Sequence, residues 1–130
     1  MLDTNICIYL IKKKPPEVLN TLKRHSPDDI CISSITLCEL EYGIQKSSQP
    51  VRNKIALTEF LTPLEVFPFD DLAAREYGAI RTALEKRGEI IGSMDLLIAS
   101  HALALNLTLV TNNDREFRRV PSLRITNWAA

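Results

Sequence analysis

Short apolar runs, each stopped by polar turn residues and followed by a stretch with helical spacing, recur along the whole of this chain. Met1-Leu2 meets Asp3-Thr4-Asn5 before apolar spacing resumes at Ile6, Tyr9 and Leu10, which reads as strand, turn and helix. Ile30-Cys31-Ile32 runs into Ser33-Ser34, a ready N-cap for a helix through Ile35, Leu37, Leu40 and Ile44. Leu64-Glu65-Val66-Phe67 stops at Pro68, and Asp70 predicts the cap of a helix ending near Gly88. Pro16 to about Arg24 and Pro50 to Leu61 read as further helices. Ser93 is expected to cap a helix from Met94 to Leu105, which is apolar nearly all round over Leu96 to Ala99 and so should lie deep. Leu107-Thr108-Leu109-Val110-Thr111 is the strongest strand signal; a turn at Asn112-Asn113-Asp114, a short helix around Phe117 and a last strand near Leu123-Arg124-Ile125 follow it. Strands that alternate with helices pair in parallel, and a parallel sheet needs cover on both sides. The pattern therefore predicts an α/β fold, a central parallel β-sheet flanked by α-helices on both faces.

With 130 residues, 45% of them apolar, the chain has material for one core, and residues 1–130 are expected to form one domain. No apolar run approaches the roughly 18 residues that cross a bilayer. The N-terminal residues carry neither a basic segment nor a small-residue cleavage site, so a cytoplasmic, membrane-free protein is expected. The three cysteines, Cys7, Cys31 and Cys38, sit in apolar stretches with only two histidines to assist them. That argues against a disulfide framework and a structural zinc site, and all three are expected to be buried small hydrophobes. Sixteen basic residues balance sixteen acidic ones. Should four carboxylates gather in one pocket, the rest of the surface would carry 16 basic against 12 acidic groups, a balance compatible with a nucleic-acid partner.

In an open α/β sheet, ligands bind beyond the carboxyl ends of the strands. Acids stand at those places here: Asp3 after the first strand, Glu39 on the helix after the second, Asp95 opening the buried helix, and Asp114 with Glu116 after the strand ending at Thr111. Taken singly, Asp3, Asp95 and Asp114 have ordinary explanations as turn formers or helix N-terminal acids. Glu39 is harder to explain so, because Thr36-Leu37-Cys38-Glu39-Leu40 embeds it among apolar residues without a neighbouring Lys or Arg. Several carboxylates converging in one place repel one another, and a hard divalent cation bound by oxygens removes that cost. Mg²⁺, or Mn²⁺, suits such a ligand set, whereas zinc prefers His and Cys. A cation so held can polarise a phosphoryl oxygen and activate water, which makes phosphodiester hydrolysis the natural reaction class. The chain has no Walker loop and no Gly-rich phosphate cradle, so a polymer substrate is favoured over a mononucleotide.

Four motifs in order carry a family resemblance: Met1-Leu2-Asp3-Thr4-Asn5, Ser33 through Thr36-Leu37-Cys38-Glu39-Leu40-Glu41-Tyr42-Gly43, Ile91-Gly92-Ser93-Met94-Asp95-Leu96-Leu97-Ile98-Ala99-Ser100-His101-Ala102, and Leu109-Val110-Thr111-Asn112-Asn113-Asp114-Arg115-Glu116-Phe117. Over essentially its full length the chain resembles PIN-domain ribonucleases, and closely the VapC toxins of bacterial type II toxin–antitoxin pairs, in their enterobacterial, MvpT-like form. The resemblance implies that Asp3, Glu39 and Asp95 bind the metal. The fourth acid is Glu116, just before Phe117, with Asp114 as its alternative. Thr4, Asn5, Ser93, Thr111 and Asn113 are the implied hydrogen-bonding supports. Members of the family carry a few residues ahead of the Leu-Asp-Thr-Asn motif, so either a trimmed first strand or a start codon placed too late is expected here.

The resemblance further implies Mg²⁺-dependent cleavage of RNA, in the nearest group initiator tRNA cut in the anticodon stem-loop so that translation stops. It implies an antitoxin, VapB, that wraps the toxin and places a basic side chain in the acidic pocket. It also implies a homodimer within a larger VapBC assembly that reaches operator DNA only through the antitoxin. Arg115, Arg118 and Arg119, beside the last acidic motif, are candidate RNA contacts, as are Lys12 to Lys14 and Lys23-Arg24. His101 is expected to pack or hydrogen-bond along its helix and Trp128 to be core or interface. Two rival readings are a haloacid-dehalogenase-like phosphohydrolase, which would want Asp where Asn5 stands, and a non-catalytic module whose acidic pocket recruits a basic peptide.

Overall fold

The computed structural model describes residues 1–129. In chain order the elements are α1 (Thr4–Lys12), α2 (Pro16–Lys23), a 3-10 turn (Pro27–Asp29), β1 (Cys31–Ser33), α3 (Ser34–Gln45), α4 (Pro50–Leu61), β2 (Glu65–Phe67), α5 (Asp71–Arg87), α6 (Ser93–Ala104), β3 (Leu109–Val110), α7 (Asp114–Phe117) and β4 (Ile125–Thr126). Two parallel pairs, β1 with β2 and β3 with β4, form the halves of the sheet. Met1-Leu2 joins them: Leu2 bridges Val110 in parallel, its N–H donates to the Cys31 carbonyl at 2.9 Å, and the Val110 N–H donates to the Met1 carbonyl at 2.8 Å. The spatial order is therefore β2, β1, Met1-Leu2, β3, β4. Met1-Leu2 meets its neighbours in that single bridge and its flanking hydrogen bonds.

Period-two alternation along the strands divides the core in two. Met1, Cys31 and Leu109 face one side, where they pack with Ile80 and Leu84 of α5, Leu96, Ile98, Ala99 and Ala102 of α6, and Phe117. Leu2, Ile32 and Val110, each one residue on, face the other, with Ile6, Cys7 and Leu10 of α1, Val18, Leu40, Ile44, Leu57 and Trp128. Both faces of the sheet are thus covered, as a parallel sheet requires.

Several boundaries expected from the sequence hold. The Ser33 side chain accepts from the Ile35 N–H at 3.0 Å at the start of α3, and the Asp70 side chain from the Ala73 N–H at 3.1 Å at the start of α5. Gly88, with φ of 66°, closes α5 in the left-handed conformation that glycine adopts at least cost. Others are corrected. Gly92, not Ser93, is the N-cap of α6, because Ser93 is already helical. The strand expected over Leu107 to Thr111 shortens to Leu109–Val110, and that near Leu123 to Ile125 moves to Ile125–Thr126, because only those residues meet a partner in register. Cys7 and Cys31 are buried, but Cys38 lies on the outer side of α3 and is exposed, so its apolar sequence neighbours misplace it. Trp128 is buried, stacked on His25 with ring centroids 5.3 Å apart. Among the described residues no helix is long and apolar enough to cross a membrane.

His101 is buried, and its Nδ1 lies 2.7 Å from Ser33 Oγ, so it bonds across to the start of α3 rather than along its own helix. Desolvation holds its pKa below the usual imidazole range, only partly offset by Asp70. Ser33 thus serves both a helix cap and a buried ring. Ser33→Ala is expected to cost about 1–3 kcal/mol in a urea titration, since it removes a cap and leaves a buried imidazole nitrogen unpaired.

Candidate active site

Asp3 and Glu116 follow the carboxyl ends of the Met1-Leu2 bridge and of β3, and Glu39 comes from α3 after β1. Asp95 comes from the start of α6, which follows α5 and not a strand. Asp3 leaves the Met1-Leu2 bridge as the N-cap of α1, with extended backbone (φ −69°, ψ 158°) and a side chain only 4% exposed. Its Oδ2 accepts from the Thr111 hydroxyl at 2.6 Å, at the end of β3. Glu39, half-buried on α3, accepts from the Thr4 hydroxyl through Oε1 at 2.5 Å. Asp95 stands in the first turn of α6, next to Gly92, where an added Cβ would lie 3.7 Å from Asp95 Oδ2. Glu116 on α7 accepts from Asn113 Nδ2 at 3.2 Å.

Their charges act on one another. Burial, followed by the charges of Asp3, Glu116 and Glu39 and a hydrogen bond with Glu116, pushes Asp95 up to about 7. Burial also raises the pKa of Asp3, with a further push from Glu39, against the lowering effect of the Thr111 hydroxyl and the Thr4 and Asn5 backbone N–H groups. Four acids from four separate segments therefore share one field. Among the described residues no Lys or Arg makes an ion pair with Asp3, Glu39, Asp95 or Glu116.

The residues fit an oxygen-bound divalent cation in kind. The donor set is all carboxylate, without His or Cys, and Asp114 contributes a buried Oδ1 with no hydrogen-bond donor facing it. Its other oxygen lies 3.9 Å from Arg118. Among the described residues no three His, Cys, Asp or Glu side chains stand close enough together in this structure to hold a metal ion; the individual acids are held by threonine and asparagine. Hydroxyls that fix one oxygen of a carboxylate leave its second free for a ligand.

Of the expected supports, Thr4, Thr111 and Asn113 hold acids directly, and the Asn113 N–H also donates to Thr111 Oγ1 at 2.9 Å. Asn5 is exposed and contributes its backbone N–H to Asp3. Ser93 is exposed, and among the described residues its side chain makes no hydrogen bond to an acid. Arg115 is exposed beside the acids; Arg118 faces Asp114. Arg119 is half-buried and donates to the Ile90 carbonyl at 3.2 Å, which fixes α7 against the loop leading to Asp95. It is less available to a substrate than its charge suggests. The sequence reading missed Tyr9 and Asn112, joined by a 2.7 Å hydrogen bond next to Thr111. Their only signal was a polar Asn-Asn pair, in which nothing separates the first residue from the second.

A family model described as PIN domain matches residues 1–123. The chain belongs to the PIN-domain family, and within it to the VapC ribonucleases. It is 50% identical over 129 residues to ribonuclease VapC2 of Rickettsia felis, covering 98% of this chain and 96% of that protein. It is 44% identical over 129 residues to the tRNA(fMet)-specific endonuclease VapC of Shigella flexneri, covering 99% and 97%. Among solved structures it superposes on the VapBC2 complex of Rickettsia felis bound to a promoter DNA fragment with a TM-score of 0.93 at 50% identity, covering 98% of this chain and 97% of that one. The DNA-bound VapBC of Salmonella typhimurium gives 0.93 at 45% identity, covering 98% and 96%. The α/β fold with a parallel sheet covered on both faces is that of the family. Family membership favours a nuclease over the dehalogenase-like alternative.

Proposed function

We propose that this chain is the toxin of a toxin–antitoxin pair, a Mg²⁺-dependent endoribonuclease that cleaves initiator tRNA in the anticodon stem-loop and is neutralised by a VapB antitoxin. One observation carries the chemical part: Asp95 is raised to about 7 by its burial and, after that, by the charges of Asp3, Glu116 and Glu39 from three other chain segments. Asp3, Glu39 and Asp95 would hold the cation, with Glu116 as fourth acid and Asp114, through its buried free oxygen, as the alternative. When bound, Mg²⁺ supplies Lewis-acid polarisation of the scissile phosphate and neutralises charge developing there. The protein does the rest. Thr111 and Thr4 orient Asp3 and Glu39, while burial and the neighbouring acid charges favour the protonated form of Asp95 up to about pH 7. Exposed Arg115 beside the acids would meet the RNA backbone.

A proton held on Asp95 must leave when the cation enters. Mg²⁺ affinity, measured by calorimetry, is therefore expected to rise as pH passes upward through about 7, with proton release detectable in buffers of different ionisation enthalpy. Affinity independent of pH over that range would take Asp95 out of the ligand set. Glu39→Gln is expected to weaken Mg²⁺ binding roughly 10–100-fold by the same method. Glu116→Ala and Asp114→Ala in one cleavage assay separate the two candidates for the fourth acid.

The antitoxin reading is supported by solved VapBC complexes of relatives, and by an apolar groove of about 310 Å³ between α1, α3 and α4. Ile8, Ile11, Leu40, Ile44 and Leu57 line it, and Glu39 stands on its wall. A segment seated there would lie beside the acids, where a basic side chain could enter. Operator DNA would be met only through the antitoxin, in an assembly with a dimeric toxin; the DNA-bound VapBC complexes of relatives support the antitoxin route. Total RNA incubated with purified protein and Mg²⁺, or with chelator, tests the whole proposal. New tRNA ends that require Mg²⁺ are expected; intact RNA in both reactions would overturn it.

A further inference from the structure

Asn112 Nδ2 donates to the Tyr9 hydroxyl at 2.7 Å, joining residues 103 positions apart. Asn112 stands between the two residues that hold acids from the β3–α7 turn: Thr111, which donates to Asp3 Oδ2 at 2.6 Å, and Asn113, which donates to Glu116 Oε2 at 3.2 Å. Tyr9 lies on α1, whose N-cap is Asp3. Helix α1 is thus tied to the turn at two points. One is at Asp3, and the other is six residues on, about 9 Å along the axis at about 1.5 Å per residue.

A single hydrogen bond leaves a turn free to pivot, whereas two bonds some distance apart fix its rotation. The Tyr9 ring packs against the core on the α1 side of the sheet, so its hydroxyl is an anchored acceptor. The tyrosine on α5 behaves differently: the hydroxyl of Tyr77 accepts from Arg81 within its own helix. We infer that Tyr9 and Asn112 are a positioning pair that sets the rotation of the β3–α7 turn and so aligns Glu116 with Asp3. Neither side chain hydrogen-bonds an acid itself. The pair acts on the acids through Thr111 and Asn113, and the inference rests on the nuclease reading of that site.

Tyr9→Phe removes the hydroxyl and keeps the ring, so the variant retains its packing. Two measurements test the pair. The first, in metal-free protein, is amide exchange at Asn113, whose N–H donates to Thr111 Oγ1 at 2.9 Å. Exchange there is expected to quicken several-fold in Tyr9→Phe and in Asn112→Ala, with α5 amides unchanged. The second is Mg²⁺ titration calorimetry, in which each variant is expected to bind roughly tenfold more weakly. The double variant should be no weaker than either single one, because both remove the same bond. A lowered melting temperature with unchanged Asn113 exchange and unchanged Mg²⁺ affinity would overturn the inference and leave an ordinary structural hydrogen bond. Wild-type protein that neither binds Mg²⁺ nor cleaves RNA would instead overturn the nuclease reading, and Asn113 exchange would still decide whether the pair holds the turn.

Discussion

Asp95→Asn is expected to lower Mg²⁺-dependent RNA cleavage by about 10²–10⁴-fold while leaving the protein folded. Asn keeps the shape of the side chain at the first turn of α6 but offers the cation no charge, and it cannot take or release the proton that Asp95 holds near neutral pH. Stability should move the other way. The folded-state pKa of Asp95 is raised from 3.8 to about 7, so between those values the folded protein binds the proton that the unfolded chain has lost. The unfavourable contribution of Asp95 is absent below pH 3.8, grows as pH rises, and is complete above about 7. Metal-free wild-type protein should therefore melt at lower temperature at pH 8 than at pH 5, an interval spanning most of that window of about three units. Asp95→Asn should flatten this dependence and melt at or above wild type at pH 8. Saturating Mg²⁺ should raise the wild-type melting point most at the higher pH. Unimpaired cleavage by Asp95→Asn, checked by mapping RNA ends, would remove the residue from the mechanism.

Phe117→Ala is expected to cost about 3–5 kcal/mol in urea unfolding, a large share of the roughly 5–15 kcal/mol available to a domain of this kind. Phe117 is fully buried in the core on the α5–α6 side of the sheet, among Leu96, Ile98 and Leu109. Helix α7 has four residues, far below the length at which a helix is stable by itself, so this ring is what seats it. Its loss should release Asp114 and Glu116 together, and Mg²⁺ affinity should fall along with stability. Phe117→Leu, which refills most of the volume, should recover much of both. A Phe117→Ala protein that unfolds at wild-type urea concentration would mean that α7 is held by its hydrogen bonds instead.

Helix α4 was legible in the sequence to the residue, Pro50 to Leu61, because a Pro at the first helical position and the apolar spacing are local signals. The caps at Ser33 and Asp70 and the stop at Gly88 were legible for the same reason. Strand ends were not. Leu107 and Thr108 have the composition of a strand, yet β3 begins at Leu109, where the hydrogen bond to the Arg124 carbonyl starts the pairing. Cys38 was placed in the core by its neighbours Leu37 and Leu40, but the rotation of α3 turns it outward. Asp3, Asp114 and Glu116 could be picked out because turns after strands are where such sheets bind ligands, whereas Asp95 opens a helix that follows α5 and not a strand. The hydrogen-bond partners could not be picked out, since Thr4 with Glu39, Thr111 with Asp3 and Tyr9 with Asn112 lie 35, 108 and 103 residues apart.

By itself the sequence determined the alternation of strands and helices, the parallel sheet covered on two sides, and which carboxylates stand at the ends of strands. All of these follow from local spacing, capping and the two-residue and 3.6-residue periods. Only the tertiary structure decided that charges on Asp3, Glu39 and Glu116 would bear on Asp95, which hydroxyl fixes which acid, and that Arg119 braces the loop before α6. Those are matters of distance between segments far apart in the chain. Electrostatic repulsion and hydrogen bonding act over a few ångströms of space, whatever the separation along the sequence.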